Sequence, residues 1–429
     1  MKRILATIQH NRLVNNISWI FFGNVAHAIL RFVLDAFVAR MLSLNDNGML
    51  TYGSSMIGFV MSLCGFGFAS IVSREFVEDE SKSGEVLCSC ILTQSAASIL
   101  GVFVLQIVIR ITAPGEPALY PIVLLQSLSS VLGTLSLTVY WFRYKNKANV
   151  VAIYRLVAFG IAAVLRVVVL LFTDSLLLYV ASTIAETVFF SAFLLISFLK
   201  SYQGKISYSF VTVKKILRSS YPFIFSAILT TIYGQTDKIM LKSMMDNESV
   251  ALYSASAHLA SAISIIPSTL IEGFRPVVME TKIKDEALYL KRFRQLYAII
   301  FWVSIAYCLF VTFFAKHIIL FVYSDKYIGA VSSLSLIVWY TTFSYFGSIN
   351  NMYMVAEHKS HWVQVTTLAG ALCNIALNYS LIPILGIVGA ALASLLTQFV
   401  ANFVLLWGIK DLRPGFYNML RGIMLKDIR

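Results

Sequence analysis

The chain has 429 residues, of which 58% are hydrophobic and 13% charged, with a mean hydropathy of +0.78. A soluble domain carries roughly a quarter charged residues, and a soluble core of this length cannot hide so much apolar surface, so much of it must face lipid. The net charge of +13 is not a nucleic-acid footprint, because the basic residues lie in short connections between apolar runs, where membrane topology puts them.

A span needs about 20 apolar residues at helical rise. In chain order, spans are expected over 17–39, 49–72, 86–110, 119–142, 149–172, 176–199, 217–237, 250–273, 295–315, 331–355, 361–382 and 387–409. The start is basic (Lys2, Arg3, Arg12) and the first span carries Arg31 and Asp35. The apolar core of a cleavable signal is shorter and uncharged, so none is expected. The stretch 316–330 reads as a short half-buried segment before the tenth span. With the N-terminus inside, the cytoplasmic connections hold 25 Lys and Arg against 6 outside; the other three, Arg31, Arg155 and Arg166, lie within spans. Lys and Arg collect on the cytoplasmic side, so both termini are expected there, in a multi-pass membrane protein.

The connection 200–216 divides the chain. A six-helix N-terminal lobe is expected over 1–199, a cytoplasmic linker over 200–216, a six-helix C-terminal lobe over 217–410, and a basic cytoplasmic tail over 411–429. A short internal echo supports two halves. Met41-Leu42, Asp46-Asn47 and Tyr52 recur as Met240-Leu241, Asp246-Asn247 and Tyr253, the spacing agreeing to one residue; duplication and shared turn chemistry both account for it. Paired lobes put a cavity between them, and rocking them gives alternating access. The expected fold is thus an all-α membrane protein with about 12 transmembrane helices in two lobes around a central cavity.

Enzymatic chemistry is not expected. There is no phosphate-cradling glycine loop and no nucleophile, zinc or paired-carboxylate constellation outside the membrane. Cys64, Cys88, Cys90, Cys308 and Cys373 all sit in apolar stretches. Cys88 and Cys90 are too close for a zinc knuckle, so the cysteines read as small packing residues.

The chemistry lies inside the spans, where polar residues face a cavity or another helix. Asn24, His27, Arg31 and Asp35 share one face of the first span. Arg155 and Arg166 in the fifth are eleven residues apart, three turns, so both point the same way about 16 Å apart. Glu186 stands near mid-membrane in the sixth. Ser226, Thr230, Tyr233 and Asp237 line up in the seventh; Ser254, His258 and Ser261 in the eighth; Gln364, Thr367, Asn374 and Asn378 in the eleventh. Plainer readings stand beside these. Arg31 and Asp35, at i and i+4, neutralise each other; Arg155 snorkels to the cytoplasmic face; His258 is a packing histidine; Ser and Thr bond their own helix. Three arginines against Asp35 and Glu186 still lean the lumen positive, which suits an anionic substrate, while the amides and hydroxyls suit sugars. An apolar tail, an anionic head and sugars together describe a lipid-linked oligosaccharide. Candidate substrate-binding cations are Arg31, Arg155 and Arg166. Asp35, Glu186 and Asp237 are candidate carboxylates for coupling to Na+ or H+, Glu186 first for its depth. Asn24, His27, Thr230, Tyr233, His258, Thr367, Asn374 and Asn378 line the lumen.

Several segments resemble the oligosaccharide flippase (polysaccharide transporter, Wzx-type) family of the multidrug/oligosaccharidyl-lipid/polysaccharide exporter superfamily. They are Asn16-Ile17-Ser18-Trp19 with Gly23-Asn24, Ala39-Arg40-Met41-Leu42-Ser43-Leu44-Asn45-Asp46-Asn47-Gly48, Ser73-Arg74-Glu75, Ser220-Tyr221-Pro222, Asp237-Lys238-Ile239-Met240-Leu241, Val250-Ala251-Leu252-Tyr253-Ser254-Ala255, and Leu381-Ile382-Pro383 with Gly386-Ile387-Val388-Gly389-Ala390-Ala391. Their order covers essentially the whole chain. The resemblance implies a twelve-helix, MATE-like flippase moving undecaprenyl-diphosphate-linked repeat units for O-antigen, capsule or related glycans, with the polymerase and glycosyltransferases of that pathway as partners and no cofactor. It supplies no catalytic motif and no role for Asp237. The alternative is a multidrug or cation antiporter of the same superfold, which is expected to carry acidic groups deep in its lumen. A major-facilitator carrier lacks its loop signature here, where Ser73 opens SREFVEDESKSGEV.

Overall fold

The computed structural model describes residues 2–427 apart from 263, and their side chains apart from residues 2–17, 69, 70, 221–223, 225, 226 and 265. The described residues form helices and no strand. In lipid no water satisfies backbone N–H and C=O groups, and a helix closes those bonds within itself.

Helix α1 runs Lys2–Met41 and α2 runs Leu44–Cys64. Ser43 caps the second, its hydroxyl accepting from the Asp46 amide at 3.0 Å and donating to the Asp46 carboxylate at 2.7 Å. The expected span 49–72 is not one helix. Phe66 and Gly67 have φ of 49° and 64°, a left-handed turn that an α-helix cannot absorb, and α3 resumes at Phe68–Glu78. Then follow α4 (Ser83–Thr112), α5 (Leu119–Gly133), α6 (Val139–Tyr144), α7 (Ala148–Phe172) and α8 (Leu176–Ser201). Beyond an irregular connection come α9 (Phe210–Met244), α10 (Asn247–Ser261), α11 (Ile265–Lys284), α12 (Glu286–Val322) and α13 (Ala330–Ala356). The chain ends with α14 (His361–Leu385), α15 (Ile387–Phe399), α16 (Leu405–Gly408) and α17 (Arg413–Ile423).

Two further expectations change. The span 250–273 is broken after Ser261 into α10 and α11. Residues 316–322 are no separate segment, because α12 continues without a break to Val322. Among the described residues eight helices are long and apolar enough to cross a membrane alone, or nine with the bent pair α10–α11 counted as one. The broken α2–α3 and the Ser-, Thr- and Asn-bearing α13 are helical without meeting that standard.

The chain packs as two compact units, Met1–Leu42 with Gly53–Thr231 and Ser43–Tyr52 with Ile232–Arg429. In the first, Phe68, Phe76, Trp141, Phe142 and Phe198 build a core to which the connection after α8 is fastened. The Gly84 amide donates to the Tyr202 hydroxyl at 2.8 Å, and the Ser209 amide to Ser89 Oγ at 2.9 Å. Gly84 is required there: a Cβ would lie 2.5 Å from the Tyr202 ring and 2.6 Å from the Lys205 carbonyl. In the second unit Tyr289, Phe293, Tyr297, Phe346, Tyr353 and Met419 form the core. Helix α17, within the basic C-terminal stretch, joins it through Asn418, which accepts from Arg294 Nε at 2.6 Å and donates to the Leu290 carbonyl at 3.3 Å. The echoed turns do the same work in both places: Asp246 caps α10 through the Ser249 amide at 2.7 Å, as Ser43 caps α2.

Candidate functional site

In the first unit α1, α7 and α8 carry a ladder of polar groups. The approach of α1 to α7 is close because small residues meet; a Cβ on Gly23 would stand 2.7 Å from that of Ala152. His27 Nε2 lies 3.1 Å from Glu186 Oε1, with its ring edge-on to Phe159 at 5.1 Å. The other carboxylate oxygen, Oε2, accepts from Arg166 Nη2 at 2.8 Å, and the same Nη2 reaches the Thr183 carbonyl at 3.3 Å. Glu186 on α8 thus bridges α1 and α7. Spacing alone leaves Arg166 without a carboxylate on its own helix; the structure supplies one across the helix pair. Arg166 is only 8% exposed, and taking two such ions out of water costs several kcal/mol per ion unless they are paired. Among the described residues its Nε is buried without a hydrogen-bond partner.

The rest of the ladder is looser. Arg31 and Asp35 do pair, at 3.7 Å. Arg155 donates to Asn24 Oδ1 at 3.0 Å and sets its guanidinium 5.2 Å over the Phe190 ring. Glu186 and Phe190 are one turn apart on α8, so the two arginines of α7 both turn toward that helix.

The second unit holds a different arrangement around Asp237, which is 8% exposed. Its Oδ1 accepts from Asn374 Nδ2 at 3.0 Å and Asn378 Nδ2 at 2.6 Å. Its Oδ2 accepts from the hydroxyls of Tyr253 and Ser394. These partners come from α10, α14 and α15, and every one is neutral. Asn378 Oδ1 is buried there without a hydrogen-bond partner.

The eleventh-span stripe therefore divides. Asn374 and Asn378 meet Asp237, while Thr367 bonds the Val363 carbonyl of its own helix at 2.7 Å. Tyr233 packs its ring against Gly370. Thr230 and His258 are exposed. The side chain of Ser226 lies outside the described residues. Sequence reasoning missed Ser394, although Ser394, Thr397 and Gln398 form a polar step on α15, and it saw Tyr253 only in the echo and in a family-like segment, not as a site residue. Among the described residues no three His, Cys, Asp or Glu gather as metal ligands.

Solved structures share this fold. An inward-facing multidrug-resistance transporter of the MATE family, in the MOP superfamily, aligns with 95% of this chain and 95% of its own at 16% identity and a TM-score of 0.69. The lipid II flippase MurJ, in an inward closed conformation, aligns with 96% of this chain and 92% of its own at 17% identity and a TM-score of 0.69. A MOP superfamily transporter from Pyrococcus furiosus, described as having a binding pocket of reversed polarity, covers 95% and 93% at 16% identity and a TM-score of 0.60. No curated protein matches the sequence. The all-α fold is thus the fold of these MOP superfamily structures. The family model of polysaccharide biosynthesis proteins matches residues 13–281, well over half of the chain, and the chain belongs to that family.

Proposed function

We propose that the protein is a flippase. It carries undecaprenyl-diphosphate-linked oligosaccharide repeat units, of O-antigen, capsule or a related glycan, from the cytoplasmic to the outer leaflet of the bacterial inner membrane by alternating access. The observation that carries the reading is the His27–Glu186–Arg166 cluster, with Arg155 and Arg31 on the same ladder. A guanidinium binds phosphate bidentately and stays charged when desolvated. An arriving diphosphate competes with Glu186 for Arg166. His27, 3.1 Å from the other carboxylate oxygen, stays beside Glu186 once Arg166 has turned to the substrate. The glycosyltransferases of the pathway supply the substrate and its polymerase consumes it.

Coupling falls to Asp237 rather than Glu186 in this reading. Glu186 already has two basic partners, whereas the hydrogen-bond donors to Asp237, among the described residues, are neutral. A half-turn of the Asn378 amide presents an oxygen beside the Asp237 carboxylate, a donor set of the kind a hard cation such as Na+ takes; a proton satisfies the same charge. The multidrug or cation antiporter remains the second reading because Asp237 is a buried carboxylate whose hydrogen-bond donors, among the described residues, are all neutral.

The test is glycan display on cells whose own flippase is deleted. Arg166→Ala abolishes display at normal membrane levels of protein, and Arg166→Lys restores part. Arg166→Ala/Glu186→Gln, which removes the buried carboxylate charge, inserts normally and also fails to display. Normal display from the double variant would overturn the role of the cluster.

A further inference from the structure

Beside the N-terminal end of α7 a small open cleft lies between α1, α6 and α7. Trp19, Gly23, Asn24, Arg143, Ala152 and Arg155 are among the residues that line it. Two arginines facing one small cleft repel each other unless an anion sits between them. Among the described residues neither has a carboxylate within 4 Å. The recorded neighbour of Arg143 is the Tyr140 ring at 5.7 Å, and those of Arg155 are Asn24 and the Phe190 ring. Their neighbours are treated otherwise: Lys145, two residues on, pairs with Glu80, and Arg166 with Glu186. The ion pairs lie around this cleft, and among the described residues none involves Arg143 or Arg155.

We propose that the cleft is the loading site for the diphosphate head group on the cytoplasmic side, with Arg143 as the second cation beside Arg155. The inference rests on the flippase reading and adds to it a place and a residue. Trp19 is of the type that settles at head-group level. Asn24 supplies an amide to the first sugar, and Ile20 and Val151, also in the lining, continue the wall toward the prenyl chain. An ordinary anionic phospholipid shares the phosphate chemistry but brings one negative charge to the two guanidinium groups. A diphosphate diester brings two, and matches them.

The experiment uses the purified full-length protein in neutral detergent and measures affinity for farnesyl diphosphate, with phosphatidylglycerol as competitor and farnesol as the uncharged control. Arg143→Gln weakens farnesyl diphosphate binding at least tenfold and Arg143→Lys by less. Arg110→Gln, at the far end of another helix, changes nothing. Farnesol does not bind, and equimolar phosphatidylglycerol does not displace the diphosphate. Arg143 is exposed, so its loss does not threaten folding. Unchanged affinity in Arg143→Gln, with the wild type binding well, overturns the site and leaves the flippase reading standing. Displacement by equimolar phosphatidylglycerol overturns the diphosphate assignment of the cleft. A wild type that binds phosphatidylglycerol and no farnesyl diphosphate overturns both.

Discussion

Glu186 serves two helices at once, and its neighbours depend on it unequally. Removing one partner of a buried pair leaves an uncompensated charge and costs about 3–5 kcal/mol, whereas replacing both with apolar residues of similar size is often neutral. Arg166→Met is therefore expected to lower the melting temperature more than Arg166→Met/Glu186→Met. Additive losses would mean that the two side chains are not coupled. Asp237 makes the opposite case, a carboxylate held only by neutral donors. Asp237→Asn turns one accepting atom into a donor facing Tyr253 or Asn374, a loss of about 1–3 kcal/mol for the unsatisfied group. The same variant is expected to lose its response to imposed Na+ and H+ gradients. Transport at the wild-type rate under every gradient would remove Asp237 from coupling.

Helix ends carry their own devices. Lys282, in the last turn of α11, donates to the Ala356 carbonyl at the end of α13 and to Glu357 Oε1, the latter at 2.9 Å. Tyr289 on α12 donates to the same carboxylate oxygen at 2.7 Å. Burial alone raises the Glu357 carboxyl, but the hydrogen bonds from Lys282 and Tyr289 outweigh it and hold the group below its ordinary value. A depressed carboxylate stabilises the fold above its unfolded pKa, near ~4.3, and the contribution is lost as the pH falls through the lower folded value. Glu357→Gln is expected to cost about 1 kcal/mol or less at neutral pH, given its exposure, with the gap to wild type closing in acid. A gap undiminished at about pH 3, well below the unfolded value, would show that the carboxylate charge is not the cause. The joint of α14 and α15 depends on Gly386, at φ 59° and ψ −134°. A side chain there is strained, and its Cβ would lie 3.2 Å from Met245 Cε. Gly386→Ala is expected to cost about 1–3 kcal/mol. Met245→Ala should not rescue it, since it relieves the contact and leaves the backbone strained; full rescue would point to crowding instead.

At the scale of the whole molecule the basic asymmetry makes a direct prediction. Reporters fused after residue 208 or 284 report cytoplasm, and one near residue 246 reports the outside; an outside signal at 284 overturns the orientation. Composition and period determined the class, because a chain this apolar has only helices or closed barrels available in lipid, and its apolar runs have helix length rather than strand length. The polar faces were legible for the same reason: Asn24, His27 and Arg31 follow one helix at its 3.6-residue repeat. Pairing across helices was not legible. Glu186 lies 20 residues from Arg166 and 159 from His27, and Ser394 lies 157 from Asp237, distances over which helical spacing carries no phase. Local backbone also escaped the pattern. The turn at Phe66 and Gly67 divides one apolar run into two helices, and hydropathy does not register the sign of φ. Which arginine is neutralised and which is left facing a cleft was decided only when three helices came together, because a charge inside a membrane is compensated by whatever neighbour the packing brings within a few ångströms.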